Sequence, residues 1–168
     1  AGSNSSQFHA VAVDASDNAY AVGVQNGNSA VTYGAHSVTG AYASGTNGLL
    51  VKYDSNGTVQ WGRSTTAGAN LSVFRAVATD GSGNVLVVGN QQGNGIFNYS
   101  GQSVAGTYAS GNNALVIKYD TNGTAIWART VSVGPLSSIF WAVAADSAGN
   151  IYVAGNQGGA GTYTYGSQ

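Results

Sequence analysis

The amino-acid sequence predicts an all-β protein built from short strands joined by tight turns. Three observations support this fold class. Apolar stretches are short, and they either alternate with polar residues, as in 8–14, or are almost continuous, as in 19–25. The 26 glycines recur too often along the chain for long helices. Asp and Asn-Gly residues stand between the apolar stretches, where they favour hairpin turns.

Composition and charge narrow the classes of protein that the sequence allows. Its 168 residues match the length of one domain, so we expect a single domain over 1–168. Five basic and six acidic residues leave a net charge of −1, and nothing predicts binding to nucleic acid. Cysteine is absent, which excludes disulfides and thiolate metal sites. Because no apolar run approaches the ~18 residues of a membrane-spanning helix, we expect no transmembrane segment.

An internal repeat organises the chain. The stretch 8–14 recurs at 74–80 and again at 140–146, each time 66 residues further along. The same offset relates single residues in the loops, with no insertion or deletion: Gly23, Gly89 and Gly155; Tyr42 and Tyr108; Lys52 and Lys118; Trp61 and Trp127; Arg63 and Arg129. The sequence therefore predicts two full copies, 8–73 and 74–139, and the first half of a third, 140–168.

Each full copy is predicted to contain four main strands. In the first copy these are 8–14, 19–25, 49–53 and 58–64, with short extra strands at 31–33 and 37–42. Four short strands per repeat are typical of one blade of a β-propeller, and the polar, Gly-rich stretch 26–48 lengthens the unit. The predicted architecture is a series of tandem four-stranded, blade-like repeats.

The repeated motif has a definite pattern. It is Phe-x-Ala-Val-Ala-x-Asp-x-x-Gly-Asn-x-Tyr-Val-x-Gly, a Tyr-Gly segment, and then Val-x-Lys-Tyr-Asp-x-Asn-Gly-x-x-x-Trp-x-Arg. From about Phe8 to Gly166 the chain resembles the bacterial β-propeller repeat often called SBBP. The resemblance implies a secreted or cell-surface protein of bacterial type, without a common enzymatic activity. Two and a half copies are too few for the usual ring, so we expect completion by oligomerisation or within a longer array.

The carboxylates argue against catalysis. Five of the six Asp residues occupy one repeated position, at the start of a turn between two strands: Asp14, Asp54, Asp80, Asp120 and Asp146. We expect each to close its turn through hydrogen bonds from the backbone. Acid–base catalysis needs titratable groups held together, and calcium needs about six to eight oxygen ligands, whereas these acids are spread one per turn. We therefore predict no enzyme, no metal site and no cofactor.

Three aromatic residues are candidates for binding or subunit contact. Trp141 stands at the repeat position that holds His9 and Arg75 in the other copies, so the fold does not dictate this position. Tyr42 and Tyr108 lie in the polar stretches, where exposed Tyr side chains can stack on sugars. Packing, subunit contact and sugar binding are all compatible with these residues.

The half copy at 140–168 suggests a function. It supplies two strands and lacks the two that would complete a blade, and an unpaired strand edge can pair with another chain. We expect a non-catalytic, extracellular structural protein that self-associates into a ring or filament. The alternative is a carbohydrate-binding, lectin-like adhesion module whose partners are glycans.

Overall fold

The computed structural model describes residues 5–165, and every regular element in this range is a β-strand. The all-β prediction is therefore confirmed. The first four residues and 166–168, the end of the predicted third copy, lie outside the described residues. The strands are β1 (Ser6–Val13), β2 (Ala19–Asn26), β3 (Val31–Tyr33), β4 (His36–Val38), β5 (Thr46–Tyr53), β6 (Val59–Ala67), β7 (Ser72–Thr79), β8 (Val85–Gln92), β9 (Ile96–Tyr99), β10 (Gln102–Ala105), β11 (Asn112–Tyr119), β12 (Ala125–Val133), β13 (Ser138–Ala145), β14 (Ile151–Gln157) and β15 (Thr164–Tyr165).

The strands form two large sheets and two isolated hairpins, with antiparallel pairing. One sheet has the order β1-β2-β5-β6-β9-β10 and the other the order β15-β12-β11-β8-β7. The hairpins β3–β4 and β13–β14 each stand alone. Within the range that the structure describes, these sheets do not close into a barrel or a propeller ring.

Two details differ from the sequence predictions. The four main strands of the first copy are neighbours, but their sheet has six strands because β9 pairs with the outer edge of β6 and β10 follows it. The strand predicted over 37–42 is present but shorter, since β4 spans His36–Val38. The side chain of Asn47 accepts a hydrogen bond from Tyr42 N (2.8 Å) and donates one to Tyr42 O (2.9 Å). These bonds hold the segment as a loop.

A β-bulge interrupts three hairpins at the same repeat position. The register shifts between Phe8 and Ala10 in β1, and β7 and β13 shift at the corresponding places. A glycine lies opposite each bulge. At Gly89 a Cβ atom would lie 1.9 Å from the carbonyl oxygen of Val73, so the bulged backbone leaves no room for a side chain. The recurring glycines are therefore required by close backbone approach.

The two large sheets share one core, whereas the last hairpin is largely uncovered. Tyr20, Leu50, Phe74 and Leu115 are fully buried in this core. The strand β8 is almost entirely buried because it lies between β7 and β11. Among the described strands, the corresponding strand β14 pairs with β13 alone, and all of its residues except Ile151 are exposed.

Candidate functional site

The five repeated Asp residues all take part in the hydrogen bonding of their turns. In each, Oδ1 accepts hydrogen bonds from the backbone N–H groups two and four residues later. The donors are Ser16 and Asn18 to Asp14, Asn56 and Thr58 to Asp54, Ser82 and Asn84 to Asp80, Asn122 and Thr124 to Asp120, and Ala148 and Asn150 to Asp146, at 2.8–3.0 Å. This geometry occupies one oxygen of every carboxylate in closing a turn.

Asp80 differs from the other turn residues because it also forms an ion pair. Its Oδ2 lies 2.8 Å from the Nζ atom of Lys118, and only 5% of its side chain is exposed. Burial by itself would raise the pKa of Asp80, but the Lys118 ammonium and hydrogen bonds from Asn84 and Ser82 lower it to about 2. The carboxylate form therefore stabilises the folded state.

We expect Asp80→Asn to lower the free energy of unfolding by about 2 kcal/mol at neutral pH. The reason is that the folded pKa of about 2 lies below the ordinary value of 3.8. Because the folded pKa is depressed, this contribution is present above pH 3.8 and is lost as the pH falls towards 2. Urea unfolding of both proteins as a function of pH measures it.

Asp120→Asn is the matched control for this variant. Asp120 accepts the same two backbone hydrogen bonds, and no ion pair is formed by it within residues 5–165. An Asn side chain can still accept these bonds through its oxygen, so we expect a change within about 0.5 kcal/mol. Equal losses in the two variants, or a loss for Asp80→Asn that does not shrink in acid, would contradict the role given to the ion pair.

The titratable side chains are dispersed. Among the residues that the structure describes, no group of three or more His, Asp or Glu side chains lies close enough together to hold a metal ion. The same part of the chain contains no helix long and apolar enough to cross a membrane.

Tyr42 and Tyr108 are anchored within their own loops. Each ring is half-buried and lies against a glycine three residues later, Gly45 or Gly111, where a Cβ atom would approach the ring to 2.8 or 2.6 Å. The backbone of Tyr108 is bound by the buried side chain of Asn113, as Asn47 binds Tyr42. These contacts support the packing interpretation of both tyrosines. The two asparagines were not predicted as loop anchors, although their spacing of 66 residues marks them as part of the repeat.

Trp141 is brought together with the two residues that share its repeat position. It lies at the bulge of β13 with 49% of its surface exposed. The Cζ atom of Arg75 lies 4.2 Å from the centre of the indole ring. His9, Arg75 and Trp141 together line a groove of about 210 Å³.

A second, more apolar groove of about 310 Å³ lies beside the last hairpin. It opens between β11–β12 on one side and β13–β14 on the other. Its lining residues are Val116, Trp127, Arg129, Thr130, Phe140, Ile151, Val153 and Tyr165. The groove lies next to the unpaired edge of β14, so both an apolar surface and backbone hydrogen-bonding groups are available there.

One repeat earlier, the surface that corresponds to this groove is covered by another part of the same chain. There the turn at 121–123, between β11 and β12, accepts hydrogen bonds from three side chains. Lys52 Nζ and Trp61 Nε1 bind the carbonyl oxygen of Thr121 at 3.1 and 3.2 Å. Arg63 Nε binds the carbonyl oxygen of Gly123 at 2.8 Å. A folded hairpin therefore covers this place.

The equivalent side chains beside the last hairpin have no such turn to bind. Lys118 turns to Asp80, and Arg129 donates only to the carbonyl oxygen of its neighbour Ala128 among the described residues. The indole N–H of Trp127 has no hydrogen bond within residues 5–165. Within the described residues, the β13–β14 hairpin thus lacks the cover that β7–β8 receives from β11–β12.

No protein-family model matches the chain. No curated protein matches it either. The class defined by the fold and the site is an all-β protein with one uncovered hairpin at the end of its described chain.

Proposed function

We propose that this protein is a non-catalytic structural protein whose copies associate head to tail, with β14 of one copy pairing with β1 of the next. The observation that carries the proposal is the free, exposed edge of β14. Its counterparts β2 and β8 are buried and paired on both sides. An uncovered apolar strand edge favours association, because pairing satisfies its N–H and C=O groups and removes apolar surface from water.

The number of hairpins in the chain restricts what can cover β14. The hairpin β5–β6 lies beside β2, β11–β12 lies beside β8, and neither is left over for β14. Exchanging these hairpins between copies of the described chain would still leave β14 of each copy uncovered. Among the described strands, we therefore expect a cover whose own edge is free.

The strand β1 meets this requirement. It lies at the end of the six-stranded sheet, and Val11 and Val13 on it are 65% and 56% exposed. Its eight residues match the seven of β14, whereas the edge strands β10 and β15 have four and two. The edge strand β7 also has eight residues, but it lies packed between β1 and β13. Tyr152 and Val153 on β14 are also exposed, and neither strand contains Lys, Arg, Asp, Glu or Pro to oppose pairing.

Pairing of β14 with β1 joins two different surfaces of the chain. Such a contact leaves a free β1 at one end of the assembly and a free β14 at the other, so it continues into a filament or closes into a ring. The resemblance to the SBBP repeat and the low content of charged residues support a location outside the cell, secreted or on the surface of a bacterium.

The test uses two variants that block opposite ends of the contact. We expect the unaltered chain to form oligomers at micromolar concentration, as measured by light scattering and electron microscopy. Val153→Lys should abolish assembly by placing a charge on the β14 side, and Val11→Lys should do so on the β1 side. Mixing the two variants should produce a heterodimer that grows no further, because the free β14 edge of Val11→Lys pairs with the free β1 edge of Val153→Lys and only the two blocked ends remain.

Ile96→Lys is the control, since Ile96 is 69% exposed on β9, which is already paired on both sides. It should assemble as the unaltered chain does. A monomeric unaltered chain would overturn the proposal. So would Val11→Lys forming a dimer by itself, because that result would indicate symmetric pairing of two β14 edges.

A further inference from the structure

Three residues at the variable position of the repeat lie together in one groove formed by β1, β7 and β13. His9, Arg75 and Trp141 are the bulged residues of β1, β7 and β13. The strand β7 contacts both β1 and β13, so the three side chains line one groove of about 210 Å³. A β-bulge turns a side chain away from the regular alternation of the strand. The bulges therefore present three different chemical groups at one place.

Arg75 supplies an uncompensated positive charge to this groove. Its Nε atom donates a hydrogen bond to Asn90 Oδ1 at 2.9 Å, which fixes the plane of the guanidinium group. Within residues 5–165 neither Nη atom has a hydrogen bond, and the only ion pair joins Lys118 and Asp80. Burial lowers the pKa of Arg75 below its ordinary value, yet a guanidinium stays charged at neutral pH. An anion bound here would compensate the guanidinium of Arg75 for the solvation that it loses on burial.

Trp141 and His9 supply an aromatic surface and a hydrogen-bond acceptor. One face of the Trp141 ring carries the Arg75 guanidinium, and the ring is still 49% exposed. The indole N–H is bound to Asn156, which holds the ring in place. His9 Nδ1 lies 2.8 Å from the carbonyl oxygen of Phe74. Because a carbonyl oxygen only accepts, Nδ1 carries the hydrogen, and Nε2 of the neutral ring is left to accept one from a ligand hydroxyl.

We propose that this groove binds a carboxylated sugar, such as a hexuronate. The guanidinium offers two parallel N–H donors to the carboxylate, in the bidentate geometry that arginine favours. The exposed part of the Trp141 ring packs against the C–H face of the pyranose, and His9 accepts a hydrogen bond from one hydroxyl. The space of about 210 Å³ suits a single sugar ring at the end of a glycan. Arg75 on β7 and Trp141 on β13 lie outside the two strands proposed to pair between copies, and the site is formed within one chain, so it does not depend on self-association.

Titration calorimetry on the full-length chain tests the assignment with four probes: galacturonate, galactose, acetate and a short peptide with a free carboxyl terminus. We expect galacturonate to bind, with galactose and acetate each at least about tenfold weaker, because each lacks one of the two recognised features. Affinity for galacturonate should fall as sodium chloride is added, since the carboxylate contact is ionic. Arg75→Gln and Trp141→Ala should each weaken binding about tenfold or more.

Two further variants keep the result interpretable. Arg129→Gln is the matched control, because Arg129 also stacks on a tryptophan, Trp127, but lies outside this groove. It should leave the affinity for galacturonate unchanged. Arg75→Lys keeps the positive charge but cannot donate two parallel hydrogen bonds, so its affinity for galacturonate should be intermediate. The proposal is overturned if galacturonate does not bind at about 1 mM, if galactose or acetate binds equally well, if the peptide binds better, or if Arg75→Gln binds as the unaltered chain does.

Discussion

Replacing Gly89 with alanine is expected to lower the free energy of unfolding by at least about 3 kcal/mol, or to prevent folding. The added Cβ would lie 1.9 Å from the carbonyl oxygen of Val73 and 3.2 Å from the Cα atom of Phe74. Both are backbone atoms, and β8 is held between β7 and β11. The strand cannot move away without breaking the β7–β8 pairing on which the core depends. Denaturant unfolding followed by circular dichroism measures the loss.

Alanine substitutions at two other glycines serve as comparisons for the loss of stability expected at Gly89. Gly95 has no atom within 4 Å of its ideal Cβ position, so Gly95→Ala should change stability by no more than about 0.5 kcal/mol. Gly155 faces a similar clash, with Ile139 O at 2.1 Å, but it lies in the two-stranded β13–β14 hairpin. That hairpin can shift more freely, so Gly155→Ala should be milder than Gly89→Ala. Equal stability of the Gly89 and Gly95 variants would show that the bulge tolerates a side chain.

Truncating Phe74 to alanine is expected to lower the free energy of unfolding by about 3–5 kcal/mol. Phe74 is fully buried, and its ring lies 5.9 Å from that of Tyr99, measured between ring centres. The ring also covers Gly48, where a Cβ atom would lie 2.6 Å from it. Removing the ring leaves a cavity between the two large sheets that the surrounding strands cannot fill.

The same substitution at Phe8 is the control that the repeat provides. Phe8 forms the equivalent pair with Tyr33, at 6.1 Å between ring centres, but it is 41% exposed. In dilute solution, Phe8→Ala should lower the free energy of unfolding by about 1 kcal/mol or less. If the two variants were equally destabilised, burial between the sheets would not be the source of the Phe74 effect.

Much of the strand pattern was predictable because it depends on local chemistry. The turns at Asp14 and Asp54 form through hydrogen bonds within five consecutive residues, so the residues that mark them are also those that build them. The continuous apolar stretch at 19–25 predicted a strand covered on both faces, and β2 is buried along almost all of its length. The loop at Tyr42 was missed because its backbone bonds to the Asn47 side chain, which a pattern of alternation does not reveal.

The candidate binding residues could also be predicted only in part from the sequence. Sequence reasoning singled out Trp141 because its position varies within a strict repeat, but it could not pair Trp141 with Arg75. That contact depends on packing β7 against β13, and the two residues are 66 positions apart. Tyr42 and Tyr108 were candidates by residue type, whereas their contacts with Gly45 and Gly111 are visible only in three dimensions.

The sequence by itself determined the all-β class, the 66-residue repeat and the positions of the Asp turns, because each depends on residues that are close together in the chain or identical between copies. Only the tertiary structure decided which copy of a repeated residue is buried. Phe8 and Phe74 stand in nearly identical local sequences, yet one is 41% exposed and the other is fully buried. The physical reason is that burial depends on what packs against a residue. The six-stranded sheet packs on Phe74 through Gly48 and Tyr99, whereas Phe8 packs on Tyr33 and stays 41% exposed.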